Sequence, residues 1–346
     1  MSRALDKSTI AALKVGNPQA AYSSISPILT TPPSCGRLEI EILGKEIPLP
    51  EGTYVLQDGI SVGISKLGLV QAFLVARKIL QDHITGSSSS PQIDDDLFAA
   101  TAVILLMDPE FLTAANTRKR LIQKQLNDNQ HAWTVLTKEK MFLDSLLTSR
   151  LHRHTKSPTL WNHRRWLVGL HSSLGVRVDV LGDLENVVFL AGERHPRNYY
   201  AWCHARYLVG LVAKEWSGYN PHINILAAVK KWCFEHHKDI SGWSFLYHLL
   251  DNYDCSGRDI CGDDISLSST FSDVLNFAAS YRVTNESLWV FLRTLAASGL
   301  VGGKELEQFT TLGAQFSQPH MDRFGDSRVL RSALDWYETY QCRKDL

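Results

Sequence analysis

The sequence has no net charge to offer, because 36 lysines and arginines balance 36 aspartates and glutamates over 346 residues. Neutrality supplies no general electrostatic footprint for nucleic acid, which leaves room only for a local basic patch. Long hydrophobic runs are also missing. The longest, Ala102 to Met107, stops at Asp108 and is far too short to cross a membrane. Met1 to Gly16 carries no apolar core of a secretory signal. The six cysteines (Cys35, Cys203, Cys233, Cys255, Cys261 and Cys342) form no C-x-x-C pair, so a reduced, cytoplasmic compartment is expected. No Gly-rich phosphate loop, dinucleotide fingerprint or nucleophile–base pair is present. His152 with His154, and His236 with His237, lack a carboxylate or cysteine that would complete a tetrahedral set, so no metal is expected on this chain. Alone, the chain should be inert.

What the sequence does have is a sentence written several times. Its strongest copy is His195-Pro196-Arg197-Asn198-Tyr199-Tyr200-Ala201-Trp202-Cys203-His204-Ala205-Arg206. Asn198 predicts a helix N-cap, since its side-chain oxygen can accept an orphan N–H of the first turn. Tyr199 and Trp202 stand three apart, which predicts that their rings share a face. Arg197 stands at the positive end of that helix, where an anion rather than a cation is favoured. Further copies read Ser157-Pro158-Thr159-Leu160-Trp161-Asn162-His163-Arg164-Arg165, Asp239-Ile240-Ser241-Gly242-Trp243 and Asn285-Glu286-Ser287-Leu288-Trp289. A fainter one runs from Phe111 to Lys119, with Ala115 where Trp is expected. Positions 115, 161, 202, 243 and 289 are spaced by 46, 41, 41 and 46 residues. A period of that size marks stacked supersecondary units.

The segments between the copies carry helical stripes. Leu181, Leu184, Val187, Val188 and Ala191 form one; Ile225, Val229, Trp232 and Cys233 another; Phe271, Val274, Leu275, Ala278 and Ala279 a third. Lys304 to Phe316 and Ser327 to Tyr340 form a terminal pair. The fold class is therefore all-α, a solenoid of α-α helical hairpins over residues 93–346. Residues 1–92 form a small elaboration: a helix from Ser8 to Val15, an extended arm, strands near Leu38–Ile42 and Tyr54–Leu56, a helix from Ser65 to Asp82 and a Ser-rich connector. Cys255 to Asp264 reads as a surface loop.

The recurrent Asn-Tyr-x-x-Trp-x-x-Arg resembles the repeat of protein prenyltransferase α subunits, over roughly residues 94–300. The likeness is nearest to the divergent branch of proteins that contain this repeat. Its departures are Arg197 for a lysine, Ala205 and Leu246 for arginines, and the lost Trp of the first copy. The resemblance implies a crescent wrapped around a β subunit that holds zinc and the isoprenoid. It implies a heterodimer that moves a farnesyl or geranylgeranyl group from its diphosphate to a cysteine near a protein's C-terminus. A Rab-type geranylgeranyl β subunit is the first expectation. Arg197 is then the catalytic residue, with Asn198 and Tyr199 beside it at the isoprenoid diphosphate. Trp161, Arg164, Trp202, Arg206, Trp243 and Trp289 form the structural core of the repeats. The other reading is a non-catalytic scaffold for protein–protein interaction.

Overall fold

A computed structural model describes residues 16–31, 36–86, 93–127, 132–212, 222–253, 267–318 and 327–341. The expected helix at Ser8–Val15, the Ser-rich connector of Gly86 to Pro91 beyond Gly86 itself, and the loop from 255 to 264 lie outside the described residues. The chain falls into two compact units. One comprises residues 1–178 with 190–195, and the other residues 179–189 with 196–346.

The first unit opens with α1 (Pro18–Thr30), where the sequence predicted an extended arm. Prolines read as breakers, but Pro18 occupies the first helical turn, where a missing N–H costs nothing. Asn17 caps it by accepting the Ala20 N–H at 3.0 Å. Ala21, Tyr22, Ile25 and Leu29 are buried, and α1 packs on α2 (Lys66–Ile84) and α3 (Ile93–Met107). Ser65 caps α2 through the Gly68 N–H. Between α1 and α2 lies a sheet of β1 (Glu39–Leu43), β2 (Val55–Asp58) and β3 (Ser61–Ser65) in the order β1-β3-β2. β2 and β3 form the hairpin, while β1 runs parallel to β3 with Glu39 opposite Ser61.

Two hairpins complete this unit. α3 pairs with α4 (Leu112–Asn127), and α5 (Ala132–Leu147) leads through the short α6 (His152–Thr155) to α7 (Pro158–Ser173). A charged cluster is buried where they meet. Arg118 of α4 donates from Nε and Nη2 to Glu139 of α5 at 2.9 and 2.6 Å. Its Nη1 donates to the Phe98 carbonyl and to Thr101. Arg164 of α7 likewise donates to Asp144 at 2.7 Å. Removing one partner of such a pair typically costs about 3–5 kcal/mol, because the other charge is left buried and alone. The fork of Arg118 ties α3, α4 and α5 together.

Four more hairpins follow, all in the second unit except residues 190–195, which belong to the first unit. The first begins with α8 (Val180–Asp183), passes through a π-helical turn (Leu184–Val188) into α9 (Phe189–Arg194), and turns into α10 (Tyr199–Val212). The next three are α11 (His222–Glu235) with α12 (Ile240–Tyr253), α13 (Leu267–Tyr281) with α14 (Glu286–Ala296), and α15 (Gly303–Phe316) with α16 (Ser327–Gln341). Second helices α10, α12, α14 and α16 touch in succession, as do the first helices α8 with α11 and α13 with α15. The three predicted stripes face the core, except that Ala279 is exposed and Leu181 half-buried. The protein is thus an all-α helical-hairpin repeat with a small sheet near its N-terminus.

Two buried histidines make this fold acid-sensitive. His163 has Nε2 at 3.3 Å from Glu139 Oε1, without the alignment of a hydrogen bond. Burial outweighs the carboxylate's attraction and pushes its pKa down to about 4. His154 is held at about 4 by burial too, with Nε2–H donating to the Leu105 and Leu106 carbonyls. Both are neutral when folded and bind protons more readily when unfolded. Stability should therefore fall as pH drops from about 6.5 towards 4, by roughly 1–3 kcal/mol for each ring. Burial of Glu139 works against its ionisation, but Arg118 and then His163 hold its pKa below the usual carboxylate value, so its own contribution is lost only at still lower pH. Urea midpoints at pH 7, 5.5 and 4.5 should show the decline, and His163→Gln should flatten it.

Candidate functional site

Each motif helix starts with a cap residue four positions before its tryptophan. Ser157 accepts the Leu160 N–H at 3.1 Å, Asn198 the Ala201 N–H at 3.3 Å, and Asn285 the Leu288 N–H at 3.2 Å. Asp239 accepts from both Ser241 and Gly242, at 2.8 and 3.4 Å. Such a cap is worth about 1 kcal/mol over alanine. The first copy has Phe111 in this place.

The tryptophans then close the turns. Trp161 Nε1 donates to the Thr155 carbonyl at 2.8 Å, Trp243 to His237 at 2.9 Å and Trp289 to Val283 at 2.8 Å, each six residues back. All four repeat tryptophans are buried, Trp202 to 1% exposure. Yet Trp202 Nε1 has no hydrogen-bond partner among the described residues. The exception falls in the turn where Arg197 takes a left-handed φ of 61°, a conformation that costs a non-glycine residue about 1–2 kcal/mol. The Trp202 ring is instead surrounded by Trp232, Phe245 and Phe189, with centroids 4.8, 5.5 and 6.1 Å away. Trp232 packs so closely on the first turn of α12 that a Cβ at Gly242 would overlap its ring.

Three predicted site residues gather at the start of α10. Asn198 is buried as the cap, while Arg197 and Tyr199 are exposed. The Arg197 backbone N–H donates to Asp239 Oδ2 at 2.7 Å, so one carboxylate caps its own helix and pins the preceding turn. Tyr199 is 68% exposed and does not share the buried face of Trp202. It opens the helix, and no earlier turn covers it. Its ring meets Tyr200 edge-on at 5.6 Å. Its pKa is raised, first by a hydrogen bond with Cys203, which keeps the phenol a neutral donor. An exposed guanidinium, a phenol and the amide end of a capped helix are together a place for a multiply charged anion.

Arg164 lies in the core at 0% exposure, but Arg206 differs from it. Arg206 is half-buried and has no carboxylate partner among the described residues. It donates to the Trp202 carbonyl and to Ser244 at 3.3 and 2.9 Å, and lies 5.7 Å over the Phe245 ring. Desolvation lowers its pKa without removing its charge at neutral pH. With Ala205 in the core position, the arginine sits one residue further round the helix, on its edge. Sequence reasoning missed the Arg118–Glu139 pair. The signal was available, because Arg118 follows Ala115 by three, as Arg164 follows Trp161.

Capped and indole-locked helical hairpins recurring at 41 to 46 residues define the class, an α-α hairpin repeat protein. Residues 143–171 match the protein prenyltransferase alpha subunit repeat. Residues 160–263 match the ECM9 middle domain. Protein ECM9 of Saccharomyces cerevisiae is 30% identical over 190 residues, which is 54% of this chain and 48% of that protein. Protein prenyltransferase alpha subunit repeat-containing protein 1 of Danio rerio is 41% identical over 69 residues, 20% of this chain and 13% of that one. The match thus spans about half the first relative's length and a smaller part of the second's. A structure of Candida albicans protein geranylgeranyltransferase-I complexed with GGPP is 13% identical with a TM-score of 0.49, covering 78% of this chain and 89% of that chain. The chain is similar to proteins of the prenyltransferase alpha subunit repeat family, whose repeat its residues 143–171 match. No helix among the described residues is long and apolar enough to cross a membrane.

The one open indole gives a comparison within a single protein. Trp161→Phe, Trp243→Phe and Trp289→Phe each orphan a carbonyl acceptor and should cost about 1–2 kcal/mol beyond the smaller ring. Trp202→Phe breaks no hydrogen bond and should cost the least of the four. Urea unfolding of the four variants checks the order.

Proposed function

We propose that this chain serves as the α-type subunit of a heterodimeric protein prenyltransferase. The observation that carries the reading is the third-repeat turn. There an exposed Arg197 is fixed by Asp239 in front of the Asn198-capped end of α10, with Tyr199 beside it. In this reading a β subunit, Rab-type geranylgeranyl as the first choice, holds zinc and the isoprenoid diphosphate. The cysteine thiol of the protein substrate loses its proton, the sulfur–C1 bond forms, and the bond from C1 to the diphosphate oxygen breaks. Negative charge grows on that oxygen. Arg197, the N–H groups of α10 and the Tyr199 hydroxyl are the donors placed to meet it. The planar guanidinium engages two oxygens where a lysine would meet one.

A second reading is favoured by where the family matches fall. The prenyltransferase repeat is matched at 143–171, short of the Arg197 turn, whereas the stretch containing that turn matches the ECM9 middle domain. Arg118 and Arg164 keep their buried ion pairs, but Ala205 and Leu246 stand in the corresponding places further along. Here the hairpins are kept as a protein-binding scaffold and transfer is lost. Pull-down from the chain's own cytosol, followed by an assay of the captured pair, separates the two. A β subunit that comes down and transfers isoprenoid selects the first reading, and a bound partner without transfer selects the second.

Arg197→Ala should leave folding and pairing nearly unchanged and slow single-turnover transfer by about 10²–10³-fold. Arg197→Lys should recover part of the rate, and Tyr199→Phe should lose less. Arg197→Gly should raise stability by about 1 kcal/mol, since glycine accepts the left-handed backbone, while remaining as slow as the alanine variant. Transfer at the wild-type rate by Arg197→Ala would place the diphosphate elsewhere.

A further inference from the structure

A second concentration of cations and rings lies at the fifth motif turn, where the proposed transferase chemistry uses nothing. The carbonyl of Lys238, in the fourth turn, accepts the Ser287 Oγ–H at 2.9 Å and so ties the two turns together. Beside this tie runs a groove of about 460 Å³, lined by His237, Lys238, Phe277, Tyr281, Arg282 and Asn285 among others. Its aromatic side is built in layers. Phe277 stacks on Phe234 at 4.9 Å with planes 6° apart, and Tyr281 and His237 meet the same ring at 5.1 and 6.1 Å.

Three features point to an anionic occupant with an aromatic part. Lys238 and Arg282 are exposed, and among the described residues no aspartate or glutamate lines the groove. The Asn285 side-chain nitrogen is buried without a partner among the described residues, while its oxygen caps α14, so a donor stands ready for an acceptor. Tyr281 is 74% exposed, an uncommon place for a large ring that has Phe277 to pack on. A fourth feature is the backbone. Arg282 has φ 51°, and with Arg197 it is one of two non-glycine residues at positive φ among the described residues. Strain of this kind persists where it holds a side chain in a useful position.

The groove has the volume of a small-molecule pocket, but such pockets enclose most of their ligand. This one is walled by exposed Lys238, Tyr281 and Arg282 and stays open along one side. An extended chain lying across it suits that geometry better. We propose that the groove of the fifth turn binds a linear peptide segment of a partner protein in which an acidic residue stands beside an aromatic one. The carboxylate meets Lys238, Arg282 and the Asn285 amide, and the ring lies against Phe277 and Tyr281. The inference does not depend on the transferase reading, since neither Arg197 nor a β subunit enters it.

Peptides displayed on phage, with Asp or Glu beside Phe or Tyr in otherwise random sequence, are panned on the immobilised full-length chain, with Lys-for-acid peptides as the control library. Acid–aromatic peptides should be enriched at least about tenfold over the control. Lys238→Glu with Arg282→Gly should abolish that enrichment. Glycine suits the left-handed position, and a melting temperature no lower than that of the wild type confirms that the fold is kept. Tyr281→Ala should reduce enrichment several-fold. The proposal is overturned if no peptide is enriched, if aromatic peptides are enriched regardless of charge, or if enrichment survives removal of the two cations. It is equally overturned if Tyr281→Ala changes nothing while inorganic phosphate displaces the bound phage, for then the groove is a simple anion site.

Discussion

Everything in this repeat rests on how the chain gets from one helix into the next. A turn between antiparallel helices must satisfy the amide donors of the second helix and the carbonyls left by the first. Here one cap residue and one indole, four positions apart, do both. The cap accepts from the new helix, and the indole N–H donates to the carbonyl six residues before it. Because the ring that makes this bond is also the largest buried side chain of its hairpin, turn geometry and core packing cannot be set independently. A change of cap moves the ring, and a change of ring opens the turn.

The third turn departs from that rule. Its cap is intact, but the indole donor is open and the residue before the cap is left-handed. The chain accepts an unpaired buried donor and a strained arginine in one place, while the fourth repeat supplies the carboxylate that holds the strained amide. Local rules broken together, in the turn that carries the most exposed aromatic and basic residues of its helix, fit a turn shaped for something outside the hairpin.

Much of this was legible in the sequence. The period was carried by the tryptophans, the caps by Ser157, Asn198, Asp239 and Asn285, and the first helices by their apolar stripes. What escaped it depended on context. Helix α1 was hidden by its prolines, Pro18 being harmless in the first turn and Pro27 being carried inside the helix. The exposure of Tyr199 follows from its being the first residue of a helix, which spacing from Trp202 does not reveal. The buried Arg118–Glu139–His163 cluster joins residues 21 and 24 apart, on helices whose adjacency only the fold supplies. Of the candidate site, the residue types were readable. The left-handed turn, its tie to Asp239 and the missing indole bond were not, because φ angles and long-range partners leave no mark in a single sequence.

Asp239 belongs to two repeats at once, and this bears on how the array opens. Its Oδ1 holds the first turn of α12 and its Oδ2 holds the amide of Arg197, so fraying of either turn releases a buried carboxylate into the other. The Ser287–Lys238 bond couples the fourth and fifth turns in the same sense. A linear array with weak junctions exchanges its amide hydrogens repeat by repeat, each at its own rate. One stitched through its turns behaves as a single kinetic block from the third repeat to the fifth, and a lesion in one hairpin is felt as solvent exposure in its neighbours.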